Sequence, residues 1–259
     1  KEVKKISQET FDEAVKDNMD MFDMEREEAI QEALEQFKLM GVDTSGISTH
    51  TTVEEEAATP VMAAINQLAE YAQFETGTLE ESVLAMGKLA QECGSDKDQQ
   101  SIAGRNQALT VLCVILEKFN HPDHACTPEQ VVELLETVVA VLRYSQDNKD
   151  RFGEKHAAVV CSCMRKYADN EAVTLACLHV LRVVCKETEN AKEAFWFEAN
   201  SVAPLLIEST KTFGAASKAA LKECCSALRF LIVDDDLRTA ASAAFVRGRK
   251  MAEAGAVVT

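Results

Sequence analysis

An internal repeat in the second half of the chain constrains its fold more than any other feature of the sequence. A Leu-Arg pair recurs near the end of three long apolar stretches: Val141-Leu142-Arg143-Tyr144, Val180-Leu181-Arg182-Val183 and Ala227-Leu228-Arg229-Phe230. Six to nine residues after each Leu comes a polar residue that we expect to open the next helix: Asn148, Asn190 and Asp236. Asn148 and Asn190 are 42 residues apart, a spacing typical of stacked helical repeats.

A third landmark follows the first two in the same order. It reads Glu154–Val159, Glu198–Ala203 and Glu253–Val258, and the last copy resembles the Glu-Ala-Gly-Ala-hydrophobic start of the second helix of an armadillo repeat. Each unit then has a short, a medium and a long helix, and it buries its apolar faces only by stacking on its neighbours. We therefore predict an all-α, right-handed α-solenoid of armadillo-type repeats. The alternative is a helical bundle without repeats.

Composition agrees with a helical chain. Four Pro and ten Gly interrupt 259 residues, 47% of the chain is apolar, and aromatic residues make up only 6%. An all-β fold would need more aromatic and β-branched runs and more turn dipeptides. We therefore set the all-β class aside.

The charge pattern excludes two classes of partner. The net charge is −16, and residues 1–60 hold six Lys or Arg against sixteen Asp or Glu. Nucleic acids and anionic membrane surfaces both require a concentrated basic patch. We therefore expect no nucleic acid and no membrane partner, and no apolar window approaches the roughly 18 residues of a transmembrane helix.

The cysteines indicate a compartment. Seven of the nine lie in apolar helical runs, as small buried hydrophobic residues do when they are kept reduced. We therefore expect a cytoplasmic or nuclear protein, or one present in both. No signal peptide is visible. Because the chain starts at Lys1 and stops at Thr259 inside a repeat, we expect it to be a fragment of a longer protein.

The sequence divides into three parts. Residues 1–42 predict an acidic amphipathic helical arm with helices over 7–22 and 25–40, and residues 43–60 predict a mobile linker rich in Ser, Thr and Glu. Residues 61–259 predict the repeats, truncated within the last one. Their helices are expected at 61–74, 78–93, 98–104, 106–119, 128–145, 148–152, 155–168, 170–187, 190–196, 200–213, 215–233 and 236–246.

Two segments carry a family resemblance. The first comprises Ile6–Val15, Glu28-Ala29-Ile30, Glu35-Gln36-Phe37 and Gly41-Val42-Asp43; the second is Ala227-Leu228-Arg229 with Asp234-Asp235-Asp236-Leu237-Arg238. Both resemble the armadillo-repeat-containing protein six family. The resemblance implies a eukaryotic armadillo protein without known enzymatic activity, used as an adaptor or scaffold. The histidines that follow the Asp-rich loop in that family are missing from residues 240–247.

The expected function is that of a non-enzymatic scaffold holding a protein or peptide partner. The third helices of armadillo stacks line a groove, where importin-type repeats clamp peptides with an Asn ladder. Here Tyr144, Val183 and Phe230 occupy the equivalent places, which argues against that mode. The neighbouring arginines, Arg143, Arg182 and Arg229, are candidates to receive an acidic peptide. Alternatively, each braces the next repeat by salt bridges.

The acidic arm has two interpretations. It docks on the first repeat as a cap, which would occupy the protein's own groove or flank. Alternatively it reaches another molecule, with apolar anchors that include Phe11, Phe22 and Phe37.

A metal-binding or enzymatic protein is the remaining alternative, with its site near residues 121–126. His121, Asp123, His124 and Cys126 are types that bind zinc, but we favour a polar surface insertion, because the sequence shows no second cluster of ligands. Cys161-Ser162-Cys163 lacks the spacing of a redox pair, and the motifs of nucleophilic or phosphate chemistry are missing from the sequence. We therefore predict no catalytic residue, no metal site and no cofactor.

Overall fold

A computed structural model describes residues 4–44, 47, 49, 56–74, 77–94, 96–200, 202–233 and 243–255. Contacts divide the chain into two units, Lys1–Ala63 and Ala64–Thr259. Within the described residues, none of the helices combines the length and apolarity needed to cross a bilayer. Half of the predicted linker and the whole Asp-rich loop at 234–238 lie outside the described residues.

The first unit is a helical hairpin closed by a short pair of strands. Its elements are β1 (Lys4–Lys5), α1 (Gln8–Phe22), α2 (Arg26–Leu39) and β2 (Val42–Asp43). β1 and β2 pair in parallel. Ser7 is the N-cap of α1, because the Thr10 amide donates to Ser7 Oγ over 3.2 Å. Gly41 follows α2 with φ of 69°, which a residue without a Cβ adopts at little cost.

Aromatic packing holds the hairpin together. The rings of Phe11 and Phe37 lie 6.1 Å apart, in a core shared with Val15, Ala29 and Ala33. Truncating such a buried Phe to Ala costs about 3–5 kcal/mol in typical cores. These two side chains therefore stabilise α1 against α2.

The second unit consists of helices in threes. The long third helices are α4 (Leu79–Cys93), α7 (Pro128–Leu142), α10 (Glu171–Cys185) and α13 (Lys218–Ile232). The second helices are α6 (Ala108–Asn120), α9 (Glu154–Lys166) and α12 (Val202–Phe213). The short first helices are α5 (Lys97–Arg105), α8 (Gln146–Asp150), α11 (Glu189–Trp196) and α14 (Ala243–Glu253).

The same kind of helix stacks on itself from one triplet to the next. α7 packs between α4 and α10, and α10 packs between α7 and α13; we call these four helices the third-helix layer. α6, α9 and α12 form a second-helix layer in the same way, and α5, α8 and α11 a first-helix layer. This arrangement confirms an all-α solenoid of armadillo-type repeats.

Helix boundaries follow local chemistry closely. Thr78 and Thr127 begin α4 and α7 with capping boxes, each paired with the third residue of its helix, Glu81 or Gln130. The helix predicted at 61–74 is present, but its last part differs in type, because α3 (Pro60–Ala69) passes into a π-helical turn over Glu70–Phe74. A π-helical turn leaves no pattern in the sequence that separates it from an α-helix.

Asn148 does not open a helix as predicted. Ser145 is the N-cap of α8, and Asn148 lies inside the helix with 2% of its surface exposed. Its side-chain amide donates to the carbonyl oxygens of Gln100, at 2.7 Å, and Val141, at 2.8 Å. Asn148 therefore joins one triplet to the next. Asn190 is likewise inside a helix, because Thr188 is the N-cap of α11.

Candidate partner-binding surface

The three repeated arginines sit in different environments. Arg143 and Tyr144 follow α7 directly and are both exposed. Arg182 is half-buried, and its Nε donates to Glu223 Oε2 on the next third helix over 3.0 Å. Arg229 is exposed, with its guanidinium carbon 5.8 Å from the centre of the Phe230 ring. Arg182 therefore makes the bracing contact of the alternative interpretation.

The apolar residues beside these arginines do not form a continuous exposed strip. Val183 and Phe230 are half-buried, whereas 52% of Tyr144 is exposed. The three repeat positions are thus equivalent in sequence but not in exposure.

The three aromatic anchors predicted in the first unit also differ in exposure. Phe11 is 1% exposed and Phe37 is 8% exposed, because they pack against one another inside the hairpin. These two side chains are therefore not presented to a partner, which corrects the prediction that they act as anchors. Phe22 is 63% exposed and keeps a free surface.

Charge divides the third-helix layer into two halves. α4 and α7 together carry six Glu and one Lys, and we call them the acidic half. α10 and α13 together carry two Glu and four Lys or Arg, and we call them the basic half. His179 Nδ1 lies 3.0 Å from Glu136 Oε1 where the two halves meet.

An exposed apolar side chain lies within the acidic half. Leu84 on α4 is 65% exposed. Counted from their N-caps, the preceding residue Val83 on α4, Val132 on α7 and Leu175 on α10 share one helical position, and all three are half-buried. This surface thus combines an apolar row with carboxylates.

Gly87 on α4 lies next to the Glu133 side chain of α7. Among the described residues, and apart from the backbone of its own helix, a Cβ at this position would meet Glu133 Oε1, at 3.5 Å. The Glu133 carboxylate therefore lies over the α4 backbone, within the acidic half.

The candidate metal-binding side chains of residues 121–126 do not face a common site. The side chains of His121 and Asp123 are 59% and 87% exposed. Cys126 is half-buried instead, with its Sγ 3.4 Å from the Tyr167 hydroxyl and 3.6 Å from the Phe119 carbonyl oxygen. Across the described part of the chain, no group of three or more His, Cys, Asp or Glu side chains is arranged to hold a metal ion.

The buried cysteines are poor nucleophiles. Burial raises the pKa of Cys113 and Cys161 to about 12. A hydrogen bond with Cys163, together with burial, raises the pKa of Cys177. The reactive form of a cysteine is the thiolate, so these side chains serve as core residues at neutral pH.

His156 occupies an open depression between α9 and α11 but acts locally. Its Nδ1 accepts a hydrogen bond from the Gly153 amide over 3.0 Å, and its ring lies 5.4 Å from that of Phe152. Burial, and to a lesser degree the positive charge of Lys155, lowers the pKa of His156. The side chain is a neutral helix cap.

The acidic half was not predicted, because the candidate residues of the groove were those beside the repeated Leu-Arg pairs. The signal was present in the helix sequences, where Glu80, Glu129 and Glu133 recur on two consecutive third helices. Leu84 reads as a core residue, since only the packing of α4 in the stack shows that it faces outward.

These features define the chain as a helical-repeat protein of the armadillo type. Comparison with known proteins narrows this class further and confirms the resemblance to the armadillo-repeat-containing protein six family. Residues 3–64 match the model of the armadillo repeat-containing protein 6 N-terminal domain.

Two curated relatives match most of the chain. It is 26% identical over 250 residues to the armadillo repeat-containing protein 6 homolog of Drosophila melanogaster, covering 96% of this chain and 52% of that protein. It is 26% identical over 238 residues to human armadillo repeat-containing protein 6, covering 91% and 46% respectively. The chain therefore spans about half the length of these relatives. No solved structure matches it.

Proposed function

We propose that this chain is a non-enzymatic adaptor that holds a protein partner on its third-helix layer. The observation that carries the proposal is the surface around Leu84, where a 65% exposed apolar side chain lies among carboxylates on a stack of repeats. Burying an exposed Leu against a partner contributes about 1.5–3 kcal/mol. Armadillo repeat proteins are in general interaction proteins without enzymatic activity.

The described cysteine and histidine side chains, whose chemistry could serve catalysis, support a non-enzymatic role. The buried thiols remain protonated, and the His156 ring accepts the Gly153 amide that caps its helix. A general base must instead reach a substrate proton directly. All nine cysteines are free, which supports our proposal of a cytoplasmic or nuclear protein.

The exposed arginines of two of the repeated Leu-Arg pairs suggest a second contact for the same partner. Arg143 and Arg229 expose their guanidinium groups, whereas Arg182 is held by Glu223. An acidic segment would pair with the two exposed arginines. We regard Arg182 as part of the scaffold rather than of the contact.

Site-specific photo-crosslinking tests the proposal. A benzoylphenylalanine residue would replace Leu84 or Lys222 in the third-helix layer, and Glu117 or Glu208 in the second-helix layer as matched exposed controls. We expect discrete protein adducts in cell extract from the first pair only. Adducts that form mainly from the control pair would contradict the proposal.

A further inference from the structure

The acidic half of the third-helix layer has an excess of negative charge, whereas the basic half has an excess of positive charge. In the basic half, Arg182 is balanced by Glu223 at 3.0 Å. Among the described residues, Glu80, Glu129 and Glu133 have no Lys or Arg within the 4.0 Å of an ion pair. Like charges brought together on one surface repel each other unless a cation balances them.

Glu80 and Glu129 face solvent. Both side chains are exposed, and hydrogen bonds within its own N-terminal turn and with Thr127 lower the pKa of Glu129. Glu133 is half-buried above Gly87, between the two helices. The carboxylates are thus spread over both helices of the acidic half.

The apolar component of this surface is central to it. Leu84 follows Val83 on α4, and Val83 shares its helical position with Val132 on α7. An exposed leucine beside a half-buried apolar row, with carboxylates around it, has the form of an interface core with a polar rim.

We propose that the acidic half binds a basic segment of a partner protein, with an aliphatic side chain seated beside Leu84 and Lys or Arg side chains paired with Glu80, Glu129 and Glu133. The proposal rests on the proposed function and adds the chemical class of the partner. A basic segment fits by charge, because α4 and α7 carry six Glu against one Lys. An acidic segment would meet repulsion here.

A labelled peptide gives a direct test. The probe is a fluorescein-labelled Lys-Leu-Lys-Gly-Lys-Leu-Lys peptide, and its affinity for the whole chain is measured by fluorescence anisotropy at physiological salt. One control peptide has Glu for every Lys, and another has Ser for every Leu. We expect the probe to bind at least about tenfold more tightly than either control.

Protein variants separate a specific site from general attraction to an acidic protein. The site variant combines Glu80→Gln, Glu129→Gln and Glu133→Gln. The matched control combines Glu117→Gln, Glu193→Gln and Glu208→Gln, three exposed residues of the other layers, and it changes the net charge equally. Circular dichroism verifies that both variants are folded.

We expect the site variant to lose about tenfold or more in affinity and the control variant to lose less than about twofold. Leu84→Ser, which removes no charge, is expected to lose about threefold or more. Equal losses in the two charge variants, or no loss in Leu84→Ser, would overturn the proposal. If crosslinks still formed at the third-helix layer in that case, the proposed function would stand and only the partner class would be wrong.

Discussion

Gly104→Ala is expected to destabilise the second unit through a single clash. An ideal Cβ at Gly104 would lie 1.6 Å from Asn148 Oδ1 and 2.5 Å from its Cγ. The Asn148 side chain would have to leave its place and give up its hydrogen bonds to the carbonyl oxygens of Gln100 and Val141. Two buried carbonyl groups would then lack these donors.

The magnitude follows from opposing contributions. Losing a hydrogen bond and leaving its buried partner unsatisfied costs about 1–3 kcal/mol for each group. Replacing a helical glycine by alanine gains about 1 kcal/mol. We therefore expect the free energy of unfolding of Gly104→Ala to fall by about 1–5 kcal/mol.

Urea denaturation followed by circular dichroism measures the effect. Gly248→Ala is the matched control, because it is also helical and, among the described residues outside its own helical backbone, no atom lies within 4 Å of its ideal Cβ. In an Asn148→Ala background, Gly104→Ala is expected to cost nothing, since the clashing atoms are gone. The reasoning is refuted if Gly104→Ala is as stable as Gly248→Ala, or if its cost is the same in both backgrounds.

Three further outcomes are expected. A double-mutant cycle on Arg182 and Glu223 should give a coupling of about 0.5–1 kcal/mol, because the pair is only partly exposed; a value near zero would mean that it does not brace the repeats. The lowered pKa of His156 means that the unfolded chain binds its proton more readily, so stability should fall as the pH drops below about 6.5. His156→Gln, which keeps the cap without titrating, should reduce that fall in urea titrations, and an unchanged pH profile would count against it. In timed alkylation with mass spectrometry, exposed Cys225 should react first and Cys113, whose pKa is raised to about 12, last; rapid labelling of Cys113 would contradict its burial.

Helix positions were largely predictable because their signals are local. The helix expected at 78–93 occupies Leu79–Cys93, and Thr78 with Glu81 supplies the capping box that starts it. Such pairs act over three residues, so one sequence is enough to find them.

Contacts between triplets were not predictable in the same way. An Asn that follows a Leu-Arg pair resembles a helix cap, but the main acceptor of Asn148 is the carbonyl of Gln100, 48 residues away. Similarly, the periodicity of α1 and α2 shows an apolar stripe but not what covers it. The structure answers this for Phe11 and Phe37, which cover one another.

Charge at the candidate surface was predictable in sign but not in place. The sequence shows the acidic start of the chain and the repeated arginines. The division of the third-helix layer into halves emerges only when α4 stacks on α7 and α10 on α13. Arg182 appears available in sequence and is paired in the structure.

An unbiased peptide selection tests the central claim most directly. The whole chain would be immobilised and used to select binders from a random displayed peptide library, and each binder would then be measured against the Leu84→Ser variant and the two charge variants. The account predicts that the selected peptides lose affinity for Leu84→Ser and for the site variant but keep their affinity for the matched control variant. The account would be contradicted by peptides that bind Leu84→Ser and the site variant as tightly as the unaltered chain and lose affinity only for the matched control variant.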